Sequence, residues 1–295
     1  MSEEAGQESQ LRRRTSITLP PQWLSGATSA PKVVFITGAS SGLGLALVQK
    51  FFEAGYKVIA SCRNPDDSSA LGQFLKENGL HSAVPMCVGD LDSVKAAYLA
   101  TRELTSSIDI LINNAGVLNF NHSPYDPVME ISASEMMDVY RVNVAGCLNV
   151  TQVFMPLVQA SYRHPTILNI SSPLGSLGLN QGGYLAPYRC SKAALNMLTK
   201  TFASEMPSVI FLAVAPRQWD HVPRDAISLA SYGSYCGGLG RQAGEIKQDL
   251  RYHEEAEGQD SLGCAAAQGI VELVAKHKKE ISGSFVYTDG ELVGF

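Results

Sequence analysis

The sequence predicts an α/β fold, a doubly wound parallel sheet in three layers. From residue 33 to residue 287, short runs rich in Val and Ile alternate with segments of helical apolar spacing. A Gly-rich turn, from Thr37 to Gly44, joins the first predicted strand to the first predicted helix. Strands that alternate with helices form right-handed βαβ units, which cover a parallel sheet with helices on both faces. The architecture is therefore expected to be of the Rossmann type.

The predicted elements follow one another in a regular order. Strands are short apolar runs, whereas helices are longer segments whose apolar residues recur at helical spacing. Gly55 and Gly79 end the first two helices, because glycine readily adopts the backbone conformation that follows a helix. The predicted strands are 33–36, 57–61, 84–88, 109–112, 166–171, 208–215 and 284–287, and the predicted helices are 43–52, 66–78, 92–104, 134–157, 187–205 and 262–276.

Composition suits a soluble globular protein with a sizeable core. Hydrophobic residues make up 45% of the chain, and the net charge of −5 favours neither nucleic acid nor an anionic membrane. No apolar run approaches the roughly 18 residues of a membrane-spanning helix, and no secretory signal pattern is present. Six cysteines without a Cys-x-x-Cys pair or a suitably spaced His predict reduced thiols, no metal site and a cytoplasmic location.

Two segments depart from the alternating pattern. Residues 1–31 are polar and contain three prolines, so we expect a disordered or flexible N-terminal tail before a single domain, 32–295. Residues 217–260 are rich in Gly, Ser, Tyr and charged side chains. A connection of this length without a core pattern is typical of a functional loop, which predicts a substrate loop or lid.

The Gly-rich turn predicts a dinucleotide cofactor. Its glycines permit a tight turn, a close approach of the backbone to a pyrophosphate, and close packing of helix on sheet. The helix that follows presents free N–H groups and its positive dipole end to the phosphates. A tight turn without a ligand is the alternative. The residues expected to contact the phosphates are Gly38, Ser40, Ser41, Gly42, Leu43 and Gly44.

The end of the second strand favours NADP(H) over NAD(H). An acidic residue there would bind the ribose 2′-hydroxyl, but this chain has Arg63, whose guanidinium suits a 2′-phosphate. Asp90 and Leu91 follow the third strand, where an aspartate can accept from the adenine amino group. The alternatives are a solvated surface arginine and an aspartate that caps a helix.

Tyr188 and Lys192 form the candidate catalytic pair. Four residues apart on a predicted helix, they share one face. The pKa of tyrosine is ordinarily about 10, and a neighbouring ammonium lowers it toward the range that is useful for proton transfer. Ser171 and Ser172 end the fifth strand at the same edge, where a serine can bind a carbonyl oxygen as charge develops on it. Asn143, inside the long helix, is unfavourable by propensity and is expected to have a functional or packing reason.

This ordered set of motifs resembles the short-chain dehydrogenase/reductase family over residues 32–216, and the last strand more weakly. The resemblance implies a catalytic set of Asn143, Ser172, Tyr188 and Lys192, with Ser172 preferred because Gly175 follows it at the family spacing. It also implies that NADP(H) contacts Tyr188, Lys192, Pro216 and the segment Asn114, Ala115 and Gly116.

A closer similarity points to the sniffer/C-factor-like carbonyl reductase branch. The segments that carry it are Cys62 to Pro65, Ser171 to Ser176 and Tyr188 to Asn196. This similarity implies reduction of a ketone or aldehyde with NADPH, on a small-molecule carbonyl or alcohol. The family resemblance also implies a homodimer or homotetramer. Its interface would be formed by the helices over residues 136–157 and 192–205.

One segment departs from the family pattern. Where the family usually has Pro-Gly and then a Thr, this chain has Pro216 and Arg217 without an evident Thr. Arg cannot replace a closely approached Gly without a backbone shift. Two alternatives to simple carbonyl reduction therefore stay open, a biosynthetic tailoring reductase for a bulky substrate and an NADP(H)-binding regulatory protein with little turnover.

Overall fold

The computed structural model describes residues 30–81, 83–118, 127–216, 259–276 and 279–294. Its strands form one seven-stranded sheet in the order β3-β2-β1-β4-β5-β6-β7, with every neighbouring pair parallel. The strand order reverses between β1 and β4, and this reversal creates the crevice in which such sheets bind ligands. The strands are β1 Val33–Thr37, β2 Lys57–Cys62, β3 Val84–Pro85, β4 Ile110–Asn113, β5 Thr166–Ile170, β6 Ile210–Ala215 and β7 Ser284–Tyr287.

Helices cover both faces of the sheet and confirm the predicted three-layer architecture. The helices are α1 Gly42–Glu53, α2 Ala70–Glu77, α3 Leu91–Leu104, α4 Ala133–Tyr140, α5 Cys147–Gln159, α6 Ala186–Glu205 and α7 Gln259–Lys276. Alternate residues of β1 point to opposite faces, so Val34 and Ile36 pack with α1, α2 and α7. Phe35 packs on the other face with α3 and α5. Strands buried on both sides explain the continuous apolar runs in the sequence.

The predicted elements differ from the observed ones mainly at their ends. The predicted helix 66–78 begins only at Ala70, because Asp66 accepts hydrogen bonds from Ser68 and Ser69 caps the helix. The predicted strand 84–88 ends at Pro85, since β2 offers it partners only at Ser61 and Cys62.

The predicted helix 134–157 is a continuous helical run that contains a π-helical turn, Arg141–Gly146, between α4 and α5. The predicted tail lies outside the described residues except for Ala30 and Pro31. The predicted loop lies outside them from 217 to 258, and its last two residues already belong to α7. Within the described ranges no helix is both long and apolar enough to cross a bilayer.

The Asp109 side chain joins the start of β1 to the segment that follows α5. Its side chain is buried, and its two carboxylate oxygens accept hydrogen bonds from the Val33 backbone N–H at 2.7 Å and the Ser161 hydroxyl at 2.6 Å. Hydrogen bonds to a charged group are stronger than neutral ones, and loss of the acceptor leaves both buried donors without a partner.

We therefore expect Asp109→Ala to lower the free energy of unfolding by about 2 to 4 kcal/mol. Equilibrium urea denaturation measures this loss. The control is Asp92→Ala, because the Asp92 side chain is 90% exposed and its removal should change stability by less than about 0.5 kcal/mol. Equal effects of the two substitutions would contradict the role assigned to Asp109.

The described cysteines are expected to differ sharply in reactivity. Burial raises the pKa of the Cys147 thiol to about 12 and also raises the pKa of Cys62. Because the thiolate is the nucleophile, we expect iodoacetamide to alkylate the exposed Cys87 and Cys190 at neutral pH and to spare the two buried thiols. Peptide mass spectrometry measures the modification, and unfolding in urea should expose all four. Rapid alkylation of Cys147 in the folded protein would refute this expectation.

Candidate active site

The candidate site lies along the carboxyl edge of the sheet, where β1, β4, β5 and β6 end. The Gly-rich turn follows β1, and the segment Asn114 to Gly116 follows β4. Ser171 and Ser172 follow β5, and Pro216 follows β6. Helix α6 carries Tyr188 and Lys192. Parallel pairing of neighbouring strands brings these sequence-distant segments to one edge.

The Gly-rich turn requires glycine for its own packing. Gly38 and Gly42 have φ values of +66° and +54°, a region that other residues rarely adopt. A Cβ on Gly38 would lie 2.7 Å from the Cα of Ala115, and one on Gly44 would lie 2.2 Å from the Gly38 carbonyl oxygen. The turn is therefore packed closely against both the end of β4 and the start of α1.

Thr37 and Asn114 bind the ends of β1 and β4 to each other. The Thr37 hydroxyl accepts from the backbone N–H groups of Asn114 and Ala115, both at 3.0 Å. The Asn114 side-chain amide donates to the carbonyls of Thr37 and Gly38 at 2.9 and 3.1 Å. Asn114 thus fixes the position of the Gly-rich turn, a role that its place in the sequence did not reveal.

The start of α1 suits an anion. Ser41 precedes the helix in an extended conformation without a side-chain cap, and the first turn of the helix contains no acidic residue. By contrast, α2, α3 and α4 are capped by the side chains of Ser69, Asp90 and Ser132. Backbone N–H groups at the first turn of α1 can therefore bind a phosphate group. The turn and the helix start together fit the pyrophosphate of a dinucleotide.

The predicted adenosine contacts lie at the ends of β2 and β3. Arg63 is exposed directly after β2, and the sequence from Ser61 to Arg63 contains no acidic residue. Asp90 uses one carboxylate oxygen to cap α3, accepting from the N–H groups of Asp92 and Ser93. The capping alternative for Asp90 is thus the observed one, and the other carboxylate oxygen has no role in the cap. Leu91 is 43% exposed.

Asn143 lies in the π-helical turn and is 2% exposed. Its side-chain oxygen accepts from the Val117 backbone N–H at 2.8 Å, and its side-chain nitrogen donates to the Val117 backbone carbonyl at 2.8 Å. The same amide donates to the Ser191 hydroxyl at 2.9 Å, and that hydroxyl donates to the Tyr188 carbonyl at 2.7 Å. Asn143 therefore links the segment after β4 to the helix that carries the candidate catalytic pair.

Tyr188 and Lys192 are both buried on the inner face of α6. The Lys192 ammonium donates to the Ile170 carbonyl at 2.7 Å and lies 5.4 Å from the centre of the Tyr188 ring. The Tyr188 ring packs with Leu118 and Leu174. The sequence prediction that Tyr and Lys share one helical face is thus met in the structure, and the lysine charge lies close to the phenol.

Ser172 begins a short turn of 3₁₀ helix, Pro173–Gly175, and its hydroxyl accepts from the Leu174 N–H at 3.2 Å. The neighbouring Ser171 donates its hydroxyl to the Asn196 side-chain oxygen at 2.5 Å. That bond already commits the Ser171 hydroxyl to the interior. The geometry therefore favours Ser172 over Ser171 as the serine available to a substrate.

A cluster of buried polar side chains joins α5 and α6 to β4 and β5. Asn169 accepts from the Cys147 thiol at 3.1 Å and from the Asn113 amide at 2.9 Å, and it donates to the Thr199 hydroxyl at 2.8 Å. The Asn113 amide also donates to the Thr151 hydroxyl. Sequence reasoning assigned no role to these residues, since nothing in their spacing shows that the sheet brings them together.

The departure from the family pattern is only partly visible. Pro216 is buried directly after β6, whereas Arg217 lies outside the described residues. In the described part of the chain, no group of three or more His, Cys, Asp or Glu side chains could hold a metal ion.

Comparisons with known proteins identify the family. The sequence model of the short chain dehydrogenase family matches residues 32–220. An NADPH-dependent pterin aldehyde reductase of Arabidopsis thaliana is 33% identical over 185 residues, which are 62% of this chain and 73% of that protein.

Solved structures share the fold. The NADPH-bound carbonyl reductase from chicken fatty liver aligns with a TM-score of 0.67 and 26% identity, over 90% of this chain and 99% of that one. The carbonyl reductase Sniffer of D. melanogaster aligns with a TM-score of 0.70 and 20% identity, over 90% and 100%. The sequence resemblance is therefore confirmed, and the chain belongs to the short-chain dehydrogenase family.

Proposed function

We propose that this chain is an NADP-dependent oxidoreductase that reduces a ketone or an aldehyde, with Tyr188 as the proton donor. The observation that carries the proposal is the hydrogen-bonded connection of Asn143, Ser191 and the Tyr188 backbone beside the Lys192 ammonium. Lys192 is buried beside Tyr188 at the ligand-binding edge of the sheet, and burial of a charge costs free energy. Proton transfer to a substrate gives the lysine, the tyrosine and Asn143 a common purpose.

Each side chain has a distinct part in the proposed reaction. Bound NADPH would supply the hydride that adds to the carbonyl carbon. The Tyr188 phenol gives its proton to the carbonyl oxygen, and the nearby Lys192 ammonium stabilises the phenolate that remains. The Ser172 hydroxyl donates a hydrogen bond to the same oxygen as negative charge develops on it. Asn143 fixes the position of α6 relative to the backbone of Val117.

The choice of NADP(H) over NAD(H) rests on Arg63. A guanidinium forms bidentate, charge-assisted bonds with a phosphate, whereas a 2′-hydroxyl needs an acceptor there. The pyrophosphate would lie on the Gly-rich turn and the start of α1. The Arabidopsis relative is named as NADPH-dependent, and the chicken carbonyl reductase was solved with NADPH, which supports the same cofactor here.

Arg217 supports a second candidate function, an NADP(H)-binding regulatory protein with little turnover. Arg follows Pro216 where the family usually has Gly. A large side chain there would change how the nicotinamide end of the cofactor is held, while leaving the phosphate cradle intact. Cofactor binding and turnover must therefore be measured separately.

The first test is Tyr188→Phe. We expect NADPH oxidation with a panel of quinones, aldehydes and ketones to fall by about 100-fold or more, because the proton donor is lost. NADPH affinity, measured by calorimetry, should change little, since the ring remains. The control is Tyr162→Phe, whose side chain is 83% exposed at the opposite edge of the sheet.

Three outcomes separate the candidates. Turnover by the wild type that survives Tyr188→Phe would refute the assigned proton donor. Tight NADPH binding by the wild type without turnover of any carbonyl would favour the regulatory protein. Turnover of bulky carbonyls alone would favour a biosynthetic tailoring reductase.

The second test concerns cofactor choice. We expect Arg63→Ala to raise the KM for NADPH by about 10- to 100-fold, the effect of losing charge-assisted hydrogen bonds to a phosphate. The KM for NADH should change little, because NADH lacks that phosphate. Arg102→Ala, which removes an exposed arginine from α3, is the matched control. An unchanged ratio of the two KM values in Arg63→Ala would show that another residue selects the cofactor.

A further inference from the structure

We infer that Asn196 is a positioning residue that holds the turn carrying Ser172 and Leu174 against the Tyr188 ring. The inference rests on the proposed function, which it deepens by adding a residue outside the predicted catalytic set. Asn196 lies one helical turn beyond Lys192 on α6 and is 3% exposed. Tyr188, Lys192 and Asn196 thus follow one another at four-residue spacing along one face of the helix.

The Asn196 amide contacts both ends of the turn. Its side-chain oxygen accepts from the Ser171 hydroxyl at 2.5 Å, and its nitrogen donates to the Gly175 carbonyl at 3.4 Å. Ser171 also remains attached to the sheet, because its backbone N–H donates to the Val214 carbonyl at 2.8 Å. One side chain therefore sets the distance between the end of β5 and the far end of the turn.

The turn itself has little freedom to adjust. The Gly175 N–H donates to the Ser172 carbonyl at 2.9 Å, and the Ser176 N–H donates to the Pro173 carbonyl at 3.0 Å. A Cβ on Gly175 would lie 2.8 Å from both the carbonyl carbon and the Cβ of Lys192, so the turn lies directly on α6. A shift at Gly175 must therefore be passed on to Ser172.

The turn contacts the proposed reacting groups at two points. Ser172 supplies the hydroxyl for the substrate oxygen, and Leu174 packs in one cluster with Leu118 and Tyr188. Displacement of the turn would move the serine hydroxyl and loosen the packing of the phenol ring together. Small errors in the position of catalytic groups reduce turnover strongly, even when substrate binding is retained.

Thr199 on the same helix provides a matched control. It is 1% exposed, and its hydroxyl accepts from the Asn169 amide and donates to the Leu195 carbonyl. Thr199→Val therefore removes a buried hydrogen bond between α6 and β5 without touching the turn. Asn196→Leu removes the two contacts of the amide and keeps the number and branching of the side-chain heavy atoms.

The decisive comparison is between the kcat values of two variants, Asn196→Leu and Thr199→Val, that lose a similar amount of stability. We expect Asn196→Leu to lower kcat by about 10- to 100-fold with an unchanged KM for NADPH, because the cofactor cradle is untouched. Thr199→Val should lower the melting temperature similarly and leave kcat near the wild-type value. Ser171→Ala removes only one of the two contacts and should give an intermediate kcat, and it takes the place of Asn196→Leu if that variant does not fold.

A second measurement does not depend on turnover. Amide hydrogen exchange followed by peptide mass spectrometry should show faster exchange over residues 171–178 in Asn196→Leu than in Thr199→Val. Equal kcat and equal exchange in the two variants would overturn the inference. If the wild type reduces no carbonyl, the proposed function fails, and the exchange comparison alone decides whether Asn196 holds the turn.

Discussion

Helix α6 holds the end of strand β5 with polar side chains along one of its faces, and the candidate site depends on this contact. Lys192 donates to the Ile170 carbonyl, and Asn196 contacts the turn that follows. Each group is buried, so each would destabilise the fold without its partner. These contacts hold α6 against the end of β5, and they place Tyr188 and Lys192 beside the turn that carries Ser172.

A second contact fixes the other side of the crevice, at the ends of β1 and β4. Asn114, at the end of β4, donates hydrogen bonds to the hydroxyl and the backbone carbonyl of Thr37, at the end of β1. The strand order of the sheet reverses between these two strands. The helix that follows the Gly-rich turn begins without a side-chain cap, unlike the three helices after it. The proposed phosphate site is thus built on β1, and the proposed proton donor lies in a separate half built on β5 and α6.

Periodicity and motif spacing predicted most of the fold. Strands buried on both faces appear in the sequence as continuous apolar runs, and helices appear as apolar residues that recur at helical spacing. The shared face of Tyr188 and Lys192 was predictable, since helical spacing is a local property. The contacts of Ser191 and Asn196 were not, because each depends on which strand end or helix the side chain meets in the folded chain. Strand β3 ends earlier than predicted, at Pro85, for a similar reason, because its length depends on how many residues of β2 pair with it.

Asn143 illustrates how local cost and tertiary gain combine at this site. Asparagine is a poor residue for a helix interior, and the helix accommodates it with a π-helical turn. The side chain recovers that cost through hydrogen bonds with the backbone of Val117 and the hydroxyl of Ser191. These bonds connect β4 to α6 through a group that lies in neither element. A substitution at Asn143 would therefore disturb the position of Tyr188 through Ser191 even if the asparagine never contacts the substrate.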